Sequence, residues 1–252
     1  MIIRHPKKQD LPCLIQLWKQ AFGENEEEFF RLFLKTAYSS KRCLAAFEKE
    51  ELCSALYWFD CSLDGNKIAY MYGVATFEKF RGKGICRAVM EKAKEILKKR
   101  GYQGIVLVPA KPSLFAFYEK LGFQTRTTLD EFSALKGEEE IPLKKISGRK
   151  YASLRRKELP KRSVLQEKEN LKFLKTQFSF YAGDGFLAAV RKEGETLFCG
   201  ELLGDKSIAP KLLKTLGFEK GTFRTVGNHR DYAVFYPIEK IQPPLYFAFA
   251  FD

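Results

Sequence analysis

The stretch from Ala69 to Phe123 constrains this chain more than any other part of it. Strand, glycine loop, helix, strand and helix follow one another there, with a chemical signal at each break. Ala69 to Thr76 is apolar and aromatic enough for a buried strand. Arg81-Gly82-Lys83-Gly84-Ile85 then offers a cation, two glycines and a helix start in quick succession. Glycines let the backbone approach a ligand and turn its free N–H groups toward it, and a helix start adds partial positive charge suited to a diphosphate. The helix is well patterned, with Ile85, Val89, Ala93, Ile96 and Leu97 on one face.

Three phosphate-loop patterns compete for this segment. A nucleoside-triphosphatase loop needs G-x-x-x-x-G-K-[ST], and no such run is present. A dinucleotide fingerprint needs G-x-G-x-x-G, and Arg87 stands where its third glycine belongs. The third pattern, R-x-x-G-x-[GA] after a strand, resembles the coenzyme A pyrophosphate loop of the GNAT superfamily of acetyl-CoA-dependent acyltransferases. Arg81 and Gly84 match it, and Cys86 stands where the family has Gly or Ala. Gly104 to Val108 then reads as a β-branched strand, and Ser113 to Phe123, ending FYEKLGF, resembles the closing helix and signature of the same family. Lys111 and Leu114 replace the family's Asn and Ala ahead of the tyrosine.

The resemblance implies an α+β fold, an α/β/α sandwich with a GNAT-like mixed, largely antiparallel sheet flanked by helices. It implies acetyl-CoA as co-substrate, its pyrophosphate held by Arg81, Gly82, Lys83, Gly84, Ile85 and Cys86. It also implies a backbone N–H for the thioester carbonyl from the strand around Val74 or Ala75, with Thr76 beside them among the coenzyme-binding residues. Tyr118 would lie near the thioester sulfur as the acid.

At 252 residues, with 45% hydrophobic and 30% charged residues, the chain can bury a real core as one large domain or two small ones. No run approaches a membrane span and Met1 to Trp18 carries charges, so a cytoplasmic protein with no membrane contact is expected. Six scattered cysteines without C-x-x-C pairs, and only two histidines, argue against a disulfide framework or a zinc site; no metal is expected. Of the net charge of +13, Met1–Glu140 carries +4 and Ile141–Asp252 carries +9, much of the excess between Lys144 and Lys175. With no nucleic-acid motif alongside, a solvated basic face is expected rather than a nucleic-acid partner.

Taken in order, Met1 to His5 reads as a strand, and Asp10 as the cap of a helix with Leu11, Leu14, Ile15, Trp18, Ala21 and Phe22 on one face. A second helix is expected over Glu26 to Ala37, rich in phenylalanine. Strands follow at Cys43 to Phe47 and Leu52 to Cys61, with a turn at Asp64-Gly65-Asn66. Beyond Thr128 the pattern loosens, and a boundary is placed at the polar Lys136 to Glu140, giving a GNAT domain over 1–138 and a smaller domain over 139–252. There a helix is read at Leu171 to Thr176, strands at Gly185 to Arg191 and Thr196 to Leu203, and a helix at Ser207 to Leu216. Glu119-Lys-Leu-Gly-Phe123 is echoed by Lys214-Thr-Leu-Gly-Phe218, with Leu213 in the place of Tyr118. The second part therefore reads as a degenerate GNAT-like copy, structural or substrate-shaping.

Acetyl transfer to an amine needs a proton acceptor, oxyanion stabilisation and an acid for the leaving thiolate. A phenol near pKa 10 facing a thiol near 8.5 is mismatched by roughly 2 kcal/mol, which leaves Tyr118 feasible as the acid. No base is marked on the Met71 to Thr76 strand; Asp60, Glu78, Asp130, His229 and a water stay open. The alternating Leu245-Tyr-Phe-Ala-Phe-Ala-Phe-Asp252 tail puts Phe247, Phe249 and Phe251 on one strand face. If docked, it would fix the Asp252 carboxylates as a candidate base, the role of the chain's own C-terminal carboxylate in the enhanced intracellular survival family of GNAT acetyltransferases, which this chain resembles only in having a GNAT half followed by a GNAT-like half. A final strand completing the second sheet is the competing reading. The sequence therefore points to an N-acetyltransferase, monomer or homodimer, acting on a small-molecule or peptide amine. The alternative is an acyl-CoA-binding GNAT-fold sensor or interaction module without turnover.

Overall fold

The computed structural model describes residues 1–249, apart from the side chains of Thr125 and Arg126. The chain opens with β1 (Ile2–Arg4), α1 (Leu11–Phe22) and α2 (Glu27–Thr36). Antiparallel strands β2 (Cys43–Glu48), β3 (Glu51–Leu63) and β4 (Asn66–Thr76) follow. Helix α3 (Ile85–Lys99) carries the chain to β5 (Gly104–Leu107), parallel to β4, and a short α4 (Phe115–Glu119) leads to β6 (Gln124–Leu135). The remainder comprises β7 (Lys144–Ile146), α5 (Gly148–Glu158), β8 (Val164–Gln166), α6 (Lys168–Gln177) and β9 (Ser179–Gly183). It closes with β10 (Phe186–Glu193), β11 (Thr196–Leu203), α7 (Ile208–Leu216) and β12 (Lys220–Pro237).

Among the described residues the twelve strands form one mixed, largely antiparallel sheet in the order β1-β2-β3-β4-β5-β12-β11-β10-β9-β7, with β6 on β12 and β8 on β3. Period-two alternation sends successive residues to opposite faces. Ala45 and Phe47 of β2 pack with α1 and α2, whereas Leu44 and Ala46 pack with α3. In the second half Leu187 and Ala189 face α5 and α6, and Ala188 and Val190 face α7. Among the described residues no helix is long and apolar enough to cross a membrane.

The sheet carries the same unit twice. A parallel pair, β4 and β5, is joined by α3, and a parallel pair, β11 and β12, is joined by α7. Both helices stop at a glycine in the left-handed region, Gly101 (φ 73°) and Gly217 (φ 75°). The next residue then donates to the carbonyl five back, Tyr102 N–H to Leu97 O and Phe218 N–H to Leu213 O, each at 3.0 Å. The topology thus sets Leu213 against Leu97 rather than against Tyr118. The echo in the sequence is a helix stop that α4 also uses, with Phe123 N–H bonded to Tyr118 O at 3.1 Å.

The two units are fused through β12. Its last residues pair with β5 (Val234↔Leu107 to Pro237↔Gly104) and its first with β11 (Leu197↔Gly221 to Leu202↔Thr225). β6 runs antiparallel to it from Gln124 to Leu135. The polar, irregular composition beyond Thr128 concealed both long strands. Helix α5 was concealed too, because its outward face is mostly Lys and Arg, with Ser153 and Glu158 among them.

Two further expectations are corrected. The Asp10 carboxylate does not cap α1; it accepts from the Lys7 N–H at 2.6 Å and pairs with Arg4 at 2.7 Å, closing the turn before the helix. Over Tyr246 to Phe249 the tail is no strand with one buried face, because all four residues are buried. Phe247 packs on Tyr70 (4.9 Å between ring centroids), while Phe249 packs on Phe178 (5.6 Å) in a different cluster. Val164 N–H donates to Tyr246 O at 2.9 Å, and the Gln166 amide donates to Ala248 O. Phe251 and Asp252 lie outside the described residues.

Candidate active site

The site begins where β4 and β5 part. Their parallel pairing runs from Ile68↔Gly104 to Tyr70↔Val106, and beyond it the strands diverge around an open pocket of about 450 Å³. Met71 to Val74 form one wall, Leu107, Val108 and Ala110 the other, and Leu114 and Tyr118 reach in from the segment after β5. Trp18, Phe22 and Phe29 add an aromatic side from α1 and α2.

The β4 wall is irregular for a reason legible in its pairing. Ala55 opposes Ala75 and Tyr57 opposes Tyr72, so Gly73 and Val74 together oppose Leu56. Such a bulge bends the strand and takes backbone groups out of the ladder. Gly73 holds φ 58°, and a Cβ there would sit 2.7 Å from the Trp18 ring and 3.0 Å from that of Tyr57. Only glycine satisfies both demands. Trp18 in turn stacks on Phe30 at 4.4 Å, which ties the bulge to α1 and α2. Its indole Nε1 is buried with no hydrogen-bond partner among the described residues.

The glycine loop lies between β4 and α3, on the face that α3 covers. Gly82 and Gly84 hold φ 75° and 76°, and a Cβ at either would meet nothing within 4 Å among the described residues. Gly84 is the N-cap of α3 and supplies no side chain to the first-turn N–H groups. Arg81 Nε donates to Thr76 O at 3.2 Å, which folds the loop against the end of β4, and Arg81 and Lys83 are exposed. Open space, uncapped amides and two exposed cations make a cradle that a diphosphate fits. Cys86 does not crowd that cradle. Its thiol is half-buried beneath the loop with Thr76 as a hydrogen-bond partner, and burial pushes its pKa up to about 11.

Tyr118 is buried, and its ring contacts Phe117 and Phe123 at 5.2 and 5.9 Å. Burial, with a smaller contribution from Cys86, pushes its phenol pKa well above the usual value, so the hydroxyl stays protonated. Of the sequence-derived site residues, Val74 and Tyr118 meet in the pocket. Ala75 and Thr76 continue the β4 wall, where Ser54 Oγ donates to Ala75 O at 2.7 Å.

The suggested bases lie elsewhere. Asp60 accepts from Tyr102 Oη, and Glu78 does not line the pocket. Asp130 is occupied by Lys206 at 2.5 Å and His229 at 2.6 Å, in the second half of the sheet. Sequence reasoning missed three polar residues that do line the pocket: Glu26, Gln177 and Arg191. Glu26 reads in the sequence as one of four acids favouring a helix start, and nothing local sets it apart.

The corresponding place in the second half is filled. β11 has its own irregularity, with Ala189↔Glu201 and Val190↔Cys199 leaving Gly200 unmatched. Beside it the fully buried Glu201 accepts from Arg155 at 2.6 and 2.9 Å, from Tyr151 at 2.9 Å and from Tyr246 at 3.1 Å. Every carboxylate lone pair is used, and α5 and the tail close over it.

Residues 2–126 match the family model for the acetyltransferase (GNAT) domain. The chain belongs to the GNAT superfamily. Membership implies acyl transfer from an acyl-CoA. Solved structures of like fold cover both halves of this GNAT chain. A GCN5-related N-acetyltransferase from Kribbella flavida is 13% identical, covering 93% of this chain and 70% of its own, with a TM-score of 0.70. One from Anabaena variabilis is 11% identical, with 94% and 73% covered and a TM-score of 0.72. Eis1 from Mycobacterium abscessus is 11% identical, with 94% and 74% covered and a TM-score of 0.65. No curated protein matches the sequence.

Proposed function

We propose that this GNAT chain moves an acetyl group from acetyl-CoA to a primary amine by direct attack within a ternary complex. The observation that carries the reading is the convergence of the Gly73–Val74 bulge and the protonated Tyr118 on one pocket, with the open glycine loop at the head of α3. Arg81, Lys83 and the amides of Gly82, Gly84, Ile85 and Cys86 hold the pyrophosphate. The backbone N–H groups of Val74 to Thr76 receive the developing oxyanion. The amine nitrogen bonds to the carbonyl carbon, the C–S bond breaks, and the thiolate takes the Tyr118 proton. The ammonium proton leaves to Glu26, half-buried in the pocket lining, whose carboxylate makes no ion pair or hydrogen bond among the described residues. The acyl-transfer half ends and the degenerate half begins in the exposed polar link at residues 138–139.

The test joins binding to turnover. Acetyl-CoA at a hundredfold over its Kd should stabilise the protein by about 2.7 kcal/mol, a rise in Tm of roughly 5–10 °C. Release of free CoA thiol with a panel of amines then reads transfer. No Tm shift at saturating acetyl-CoA would end the coenzyme reading; a shift without thiol release for any amine would favour a sensor.

A further inference from the structure

The pocket draws polar lining from both halves of the chain, and the two contributions are opposite in sign. The first half supplies the Glu26 carboxylate, and the second half supplies the Arg191 guanidinium from β10 and the Gln177 amide from the end of α6. Between these polar groups the lining is largely aromatic and aliphatic, with Trp18, Phe22, Phe29 and Leu114.

Arg191 is held ready rather than spent. Its guanidinium carbon lies 5.2 Å from the Phe178 ring centroid and 4.6 Å from that of Phe198. Nε and Nη2 both reach one oxygen of Glu193, at 2.7 and 2.6 Å. The Nη1 donors have no acceptor among the described residues. Glu193 is well exposed, its side chain retaining 46% of its surface, so this pair contributes little and is not a buried partner an incoming anion must displace. A planar fork fixed by two rings loses little freedom on meeting a carboxylate. The coenzyme reading leaves Arg191 without a task, because the glycine loop and α3 belong to the other face of the sheet.

We infer that the second half selects the acceptor, and that the acceptor is a small amine bearing a carboxylate on an apolar body, the chemistry of an aliphatic or aromatic amino acid. Arg191 binds the carboxylate with help from Gln177, the aromatic side takes the apolar body, and the amine is directed toward Glu26 and the thioester. A cavity of about 450 Å³ suits a molecule of that size. The inference rests on the acyl-transfer reading and names its substrate class.

A matched series on the full chain tests it: leucine, leucinamide and 3-methylbutylamine, with phenylalanine and phenethylamine beside them. The acids should exceed their amides and decarboxylated amines in kcat/KM by about 10–100-fold, the range of a charge-assisted bond. Arg191→Gln should erase that preference, mainly through KM, while the Tm shift with acetyl-CoA is kept. Arg191→Lys, with the charge but not the fork, should recover part of it. Binding is read independently as the Tm shift that each ligand gives in the presence of CoA, so a failure of transfer does not hide the result. No preference for acid over amide in either readout, or a preference untouched by Arg191→Gln, overturns the assignment. Loss of the acetyl-CoA shift in the unaltered protein would instead mark the failure of the coenzyme reading.

Discussion

Tyr118 and Glu26 illustrate how a side chain's surroundings decide its chemistry. The phenol is buried and its pKa is raised, which makes it a weaker acid than free tyrosine but keeps its proton in place throughout the neutral and mildly alkaline range. Tyr118→Phe keeps the ring, so acetyl-CoA should shift Tm as before while kcat falls about 10²-fold or more. Because the folded pKa is raised, ionisation of Tyr118 should impose no alkaline fall in kcat below about pH 10; such a fall would assign the proton elsewhere. Glu26→Gln removes only the proton acceptor. At pH 7 kcat/KM should drop about 10²-fold, with part of the loss recovered at higher pH, where the amine sheds its own proton. Full activity of Glu26→Gln at pH 7 would dismiss it as the base.

At the scale of elements, two glycines and one carboxylate set local geometry. Gly84→Ala meets open space and should cost only the left-handed conformation, about 1–2 kcal/mol. Gly84→Glu should additionally abolish the acetyl-CoA shift, because it places a negative charge in the cradle. Gly73→Ala adds a clash with two core rings to the same backbone cost. It should destabilise by about 2–4 kcal/mol, seen as a lower Tm with or without ligand. The irregular stretch of β12 between Thr225 and Arg230 closes around Asp130, which accepts from Lys206 Nζ, His229 Nδ1 and the N–H groups of Asn228 and His229. Lys206, then His229, hold this carboxyl well below the usual range. A depressed folded pKa gives stability that is complete above the unfolded value, near 3.9, and is lost as pH falls through the folded one. Asp130→Asn should therefore lower Tm at pH 7, with the difference from the unaltered protein narrowing below about pH 4. A constant difference across that range would assign the loss to shape alone.

The molecule as a whole depends on a strand that comes late in the chain. β6 pairs only with β12 among the described strands, and β12 also borders both β5 and β11. A fragment of residues 1–138 leaves β6 unpaired and β5 as a bare edge, a template for aggregation. It should be insoluble or poorly dispersed by NMR, and co-expression with residues 139–252 should restore a soluble complex. A well-folded, acetyl-CoA-binding 1–138 fragment would show that the seam is dispensable. The second half's buried Arg155–Glu201 pair with Tyr151 and Tyr246 adds a polar cluster, every Glu201 lone pair in use, that ties Tyr246 to α5 and β11.

Local chemistry made half of this protein legible in its sequence. Glycines at Gly82 and Gly84 announce a backbone only glycine adopts freely, the face of α3 follows from its spacing, and the Tyr118 segment ends at a glycine stop. Each of these is settled within a few residues, by sterics and periodicity. Tertiary structure alone decided the rest. Glu26, Gln177 and Arg191 share a pocket because three distant elements meet at the mouth of β4 and β5, and no local pattern distinguishes them from other surface charges. β12 gave no sign of its role, because a strand that completes two units is specified by its partners rather than by its own alternation. The tail likewise reads as a strand with one buried face, yet Tyr246 to Phe249 are buried on every side, because they pack into two different cores.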